Sequence, residues 1–176
     1  MTRIRRARAE DARALAQLRW ELRTTITTTA VAVANESEHA FVERCTAWMT
    51  RRLRATGRWQ AWVAESQGCV IGAVWMQTVE KIPNPNGEPE SFGYISNLYV
   101  RHAARGGIGT RLLRACLDSI ESAAVDHLLL WPTERSRTLY RRLGFDTTRD
   151  LVVRARTGTL RGERHDGSSD SSHISD

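Results

Sequence analysis

"VRHAARGGIGTRLL", Val100 to Leu113, sets three glycines, Gly106, Gly107 and Gly109, between an apolar run and an amphipathic one. Downstream of them Leu112, Leu113, Cys116, Leu117 and Ile120 recur at helical spacing, so the glycines stand at a helix N-terminus. The first turn of a helix has unsatisfied N–H groups and a partial positive charge, and residues without Cβ let an anion approach those donors closely. The stretch therefore reads as a phosphate cradle; on these residues alone, a strand-to-helix turn without a ligand is the equal alternative. Neither GxxxxGK[ST] nor GxGxxG is present, and the only lysine, Lys81, lies elsewhere, which argues against nucleoside triphosphate chemistry.

Outward from this turn, "YISNLYV" (94–100) reads as the strand that feeds it and "GTRLLRACLDSIESAAV" (109–125) as the helix that leaves it. A buried-type strand "HLLLWP" (127–132), a helix "TERSRTLYRRLG" (133–144) and a terminal strand pair near "FDTTRDLVVRAR" (145–156) follow. Upstream, "TRIRRARAED" suits an edge strand, and Asp11 is placed to cap a helix over 11–24. A threonine-rich connection (24–37) leads to a helix whose stripe is Phe41, Val42, Cys45, Trp48, Met49 and Leu53, ended by Gly57. "WQAWVAES" and "CVIGAVWMQTV" form a hairpin about Gln67–Gly68, and the proline-rich 81–93 is loop. The order β α α β β β α β α β describes an α/β chain with a mixed, partly parallel sheet, in which ligands collect at the carboxyl ends of parallel strands. One domain over residues 1–156 is expected, with a polar, disordered tail over 157–176.

The three cysteines are widely spaced and the five histidines fall in no ligand spacing, so reduced thiols and no metal are expected. No apolar run is long enough for a membrane span or a signal peptide, and a cytoplasmic protein is expected. The net charge of +6 rests almost wholly on arginine. These arginines are dispersed over polar helix positions, which describes a solvated surface with a bias toward phosphate ligands rather than a nucleic-acid interface.

The wider context, "ISNLYVRHAARGGIGTRLL" followed by "LWPTERSRTLYRRLGF", resembles the Gcn5-related N-acetyltransferases (GNAT) over residues 3–156. Leu98, Tyr99 and Val100 match the family's strand, Gly107 and Gly109 its paired glycines, and Tyr140, Gly144 and Phe145 its later helix. Val100 to Gly107 is seven steps, one fewer than the family pattern. Ala104 thus falls where arginine or glutamine is usual, and Arg105 follows; a tightened loop in which Arg105 still serves is expected.

The resemblance implies a GNAT-like sheet with splayed parallel strands and helices on both faces, and acetyl-CoA as co-substrate. The N–H groups of Arg105, Gly106, Gly107, Ile108, Gly109 and Thr110 would hold its pyrophosphate. Val100 and Tyr99 would border the pantetheine arm, and the Leu98 N–H would face the thioester carbonyl. Tyr140 is implied as the acid that protonates the leaving thiolate; packing beside Leu139, Leu143 and Phe145 is its alternative. A strand carboxylate common in relatives is replaced by Ser96 and Asn97, so Asn97 is left to orient substrate or water. Glu80, Glu88 and Glu90 read as solvated loop charges before they read as bases. Thr133 reads first as an N-cap and second as a contact to the cofactor arm.

Six tryptophans are expected mainly in the core, with Trp20 and Trp75 weighed as pocket lining and assigned to packing. Cys116 lies on an apolar stripe and is read as core, so direct attack by a primary amine, small-molecule or peptide, is expected without an acetyl-enzyme. Two other readings stay open at this point: a non-catalytic acyl-CoA-binding module, and an enzyme for an RNA-linked or ribosomal amine. Homodimers are common among proteins of this kind.

Overall fold

The two apolar runs of the middle of the chain form antiparallel neighbours in the computed structural model, β2 (Trp59–Ser66) and β3 (Cys69–Glu80). Gln67 and Gly68, with φ of 50° and 74°, make the tight turn between them. Ala61, Val63, Ala73 and Trp75 are buried on one face of this hairpin, and Trp62, Ala64, Val74 and Met76 on the other. A strand covered on both sides reads as a continuous apolar run rather than an alternating one, which is what these segments show. The structure describes residues 1–26, 36–55, 57–83, 85, 87, 89–104, 106–120, 125–146 and 151.

A short edge strand, β1 (Arg3–Arg6), pairs with β2, and β4 (Ser91–Val100) pairs with β3, both antiparallel. Among the described residues β5 (His127–Leu129) alone runs parallel to its neighbour, giving a mixed five-stranded sheet in the order β1-β2-β3-β4-β5. Helices α1 (Ala12–Ile26) and α2 (Glu38–Arg54) cover one face through Leu15, Leu18, Val42 and Met49. Helices α3 (Ile108–Asp118) and α4 (Arg137–Arg142) cover the other through Leu112, Leu113, Cys116 and Tyr140. Residues 1–146 make up one compact unit.

Several boundaries differ from the sequence reading for local reasons. Asp11 does not cap α1 directly: it closes a one-turn 3-10 helix, Ala9–Asp11, by accepting the Arg8 N–H at 2.7 Å. Ser91, Phe92 and Gly93 belong to β4, not to the preceding loop. Gly93 pairs there with Thr78 and Leu128, and a Cβ would stand 2.6 Å from Leu128 Cδ2, so that side chain would have to shift. β5 stops at Leu129 ahead of Pro132, which lacks an N–H for a ladder, and Trp131 turns outward, 62% exposed, instead of joining the core. The helix over 133–144 is divided into a 3-10 turn, Glu134–Ser136, and α4. Residues 27–35 of the threonine-rich connection, the tail and most of the terminal strand pair lie outside the described residues; Phe145 and Asp146 are described and are not in a strand. Among the described residues no helix is long and apolar enough to cross a membrane.

The arginine surplus is partly consumed inside the chain, since Arg5, Arg13, Arg44, Arg58, Arg101 and Arg137 all sit in ion pairs. The least exposed is the fork of Arg5 on Asp11, two bonds of 2.8 Å, with Glu65 accepting from Arg5 Nε at 2.7 Å. Burial by itself would raise the Asp11 pKa, but the Arg5 hydrogen bonds and the Arg8 N–H outweigh it and hold the carboxyl below its ordinary value. Its stabilisation is therefore present above the unfolded carboxylate pKa of about 4 and is lost as pH falls through the lower folded value. Asp11→Asn is expected to cost about 2 kcal/mol in urea unfolding at pH 7, and the gap to the wild type should shrink in acid.

Candidate active site

β4 and β5 pair only from Phe92 to Tyr94, and β4 then runs on to Val100 after β5 has ended. The strands part at their carboxyl ends, and a cleft of ≈ 950 Å³ opens there. Along its floor the β3–β4 register slips: Ala73 faces Tyr99 and Trp75 faces Ser96, so Asn97 and Leu98 together oppose the single residue Val74. Asn97 takes a left-handed φ of 54°, a conformation that asparagine tolerates better than other side chains. The bulge thereby turns β4 backbone and side chains into the cleft, whose lining includes Asn97, Leu98, Tyr99 and Val100.

The glycine turn borders the same cleft. The chain leaves β4 through a 3-10 turn, His102–Ala104, closed by the Ala104 N–H on Arg101 O at 3.0 Å. Gly107 then caps α3 with φ of 78° and lines the cleft with Gly109 and Thr110. Among the described residues a Cβ on Gly107 would meet no atom within 4 Å, and one on Gly109 only Leu139 Cδ2 at 3.8 Å. The bare backbone here therefore serves no packing among the described residues; it leaves open space above the first-turn N–H groups of an eleven-residue helix. Gly106 is exposed and Ile108 is buried in the core at 6% exposure, so neither side lines the cleft; Arg105 lies outside the described residues.

From α4 and the turn before it come Thr133, Ser136 and Tyr140. Thr133 is an N-cap, as its sequence position suggests, its N–H donating to Ser136 Oγ at 2.9 Å, and it lines the cleft as well. Tyr140 is 9% exposed and lies edge-on to Phe145 at 5.8 Å. Burial raises its pKa more than the nearby Ser136 hydroxyl lowers it, so the phenol is protonated at neutral pH. Packing and a cleft position coexist in this residue. Cys116, by contrast, is fully buried among α3 contacts with its thiol pushed up to about 12 by burial, which makes it an inert core side chain.

The opposite face contributes from α1. Arg19, half-buried, reaches the bulge and donates from Nη1 to Asn97 Oδ1, and Leu22 and Arg23 line the cleft beside it. Arg19 was not singled out in the sequence; no local pattern separates it from the other helix arginines. Of the tryptophans, Trp75 is core and Trp20 packs on Phe41 at 5.5 Å, while the cleft is lined by Trp59 and by Trp131, which stands edge-on to Tyr94 at 5.3 Å. Glu80 is exposed and paired with Arg58, Glu90 is not among the lining residues, and Glu88 lies outside the described residues.

A family model described as acetyltransferase (GNAT) family matches residues 15–145. No curated protein matches the chain significantly. Among solved structures, a predicted acetyltransferase with acetyl-CoA from Clostridium acetobutylicum superposes with a TM-score of 0.71 at 20% identity, covering 88% of this chain and 96% of that one. A GCN5-related N-acetyltransferase from Ralstonia eutropha JMP134 gives 0.70 at 24%, covering 88% and 99%. Glucosamine-6-phosphate N-acetyltransferase from Arabidopsis thaliana gives 0.62 at 18%, covering 88% and 98%.

Proposed function

The chain belongs to the acetyltransferase (GNAT) family, the acetyl-CoA-dependent N-acetyltransferases, and from that premise we propose direct transfer of an acetyl group to a primary amine within a ternary complex in this cleft. The observation that carries the reading is the conjunction of a bare, left-handed glycine turn at the α3 N-terminus with a protonated, buried tyrosine on one cleft where parallel strands part.

Bound acetyl-CoA supplies an acetyl group activated as a thioester, whose departing thiolate needs a proton. The first-turn N–H groups of Gly107, Ile108, Gly109 and Thr110 hold the pyrophosphate, assisted by Arg105 and by the turn at Gly106. Val100 and Tyr99 border the pantetheine arm together with Thr133. Leu98, in the bulge, offers its N–H to the oxygen on which negative charge develops. Asn97 orients the incoming amine, and Tyr140 delivers the proton to the sulfur as the carbon–sulfur bond breaks. The tyrosine recovers its proton from the amine through solvent, so the net exchange is an N–H and a C–S bond for a C–N and an S–H bond.

The burial of Cys116 argues for direct attack rather than a covalent acetyl-enzyme. Initial rates with both substrates varied should then give intersecting reciprocal plots. Parallel plots, the sign of a ping-pong route, would overturn the direct mechanism.

A further inference from the structure

We propose that the acceptor amine carries an oxyanion group, a carboxylate or a phosphate monoester, that docks on the Arg19 guanidinium beside Asn97. The inference rests on the acetyltransferase reading of the cleft and names the class of acceptor that this cleft takes.

Arg19 projects from α1, whose packing lies on one face of the sheet, whereas the glycine turn and Tyr140 belong to the helices of the other face. With the cofactor side assigned to α3 and α4, the acceptor approaches from the α1 side, and Arg19 at the bulge lies on its path. Among the described residues, its hydrogen-bond acceptor is the neutral Asn97 carboxamide, although the chain pairs arginines with carboxylates readily elsewhere. Glu21, also on α1, is taken by Arg101, with a contact of 2.7 Å. Burial depresses the Arg19 pKa and the charge of Arg23 adds to this, yet a guanidinium stays ionised in a protein.

A half-buried cation with a neutral partner carries an uncompensated desolvation cost, and an anion from the ligand would offset it. The planar fork matches the paired oxygens of a carboxylate or phosphate. The described lining of the cleft includes Arg19, Arg23 and Arg135 and no aspartate or glutamate, so polycationic acceptors meet repulsion there.

The test uses matched acceptors: amino acids against their carboxamides in one arm, and amino-sugar phosphates against the unphosphorylated sugars in the other. Wild type and Arg19→Gln are compared by kcat/KM, with acetyl-CoA binding followed calorimetrically in parallel. In one arm the wild type should favour the anionic member by roughly 10- to 100-fold, and that arm identifies the oxyanion. Arg19→Gln should collapse the preference through KM, with acetyl-CoA affinity unchanged.

Equal use of both members, preference for the neutral one, or no acetylation of any anionic member would overturn the proposal. So would an equal fall in kcat for both members in Arg19→Gln, which would make Arg19 a positioning residue for Asn97. Failure of the wild type to bind acetyl-CoA would instead remove the reading on which the proposal stands.

Discussion

Replacing Tyr140 with phenylalanine is expected to lower kcat by about 100-fold or more while leaving the affinity for acetyl-CoA nearly unchanged. The substitution keeps the ring that packs edge-on against Phe145 and removes only the hydroxyl. Fold stability should therefore change little, which can be checked by thermal unfolding before rates are compared. Because burial raises the Tyr140 pKa, the acid form is the populated one at neutral pH. Wild-type kcat should then fall as pH rises through that elevated value, and the phenylalanine variant should lack that alkaline limb. A kcat within about 2-fold of wild type, where an acid contributes at least 100-fold, would make Tyr140 a packing residue only.

Gly107→Glu is expected to weaken acetyl-CoA binding by about 100-fold or more. The left-handed conformation at φ of 78° costs a non-glycine residue roughly 1–2 kcal/mol. The added carboxylate would also occupy the open space above the α3 N–H groups and repel a pyrophosphate. Loss of one charge-assisted bond is worth about 1.5–3 kcal/mol, so strain and repulsion together reach that factor. Gly107→Ala separates the two contributions, since it keeps the strain and introduces no charge; its loss should be about 10-fold. Equal affinity of all three proteins for acetyl-CoA would move the phosphate site away from this turn.

Much of this architecture is legible in the sequence because burial on two faces and helical periodicity leave strong patterns. The hairpin of β2 and β3, the apolar stripe of α2 and the glycine turn ahead of α3 are such cases. The departures arise where tertiary contacts outweigh local composition. Gly93 reads as a loop residue, yet it pairs as a strand residue with Thr78 on one side and Leu128 on the other. Trp131 reads as core, but the chain turns ahead of Pro132 and leaves it at the mouth of the cleft. The bulge has one signal in the sequence, an asparagine inside a largely apolar strand, since that residue accepts positive φ. Arg19 had none, because its role depends on α1 crossing β4 seventy-eight residues away in sequence.

The account stands most directly on the claim that the cleft between β4 and β5, with its glycine turn, is an acetyl-CoA site. Calorimetric titration of the purified wild-type protein with acetyl-CoA and with CoA tests it without knowledge of the acceptor. Saturable binding of both at one site per chain, in the micromolar range of about −8 kcal/mol, is the predicted result. Absence of heat from either ligand, in a protein shown to be folded, would contradict it.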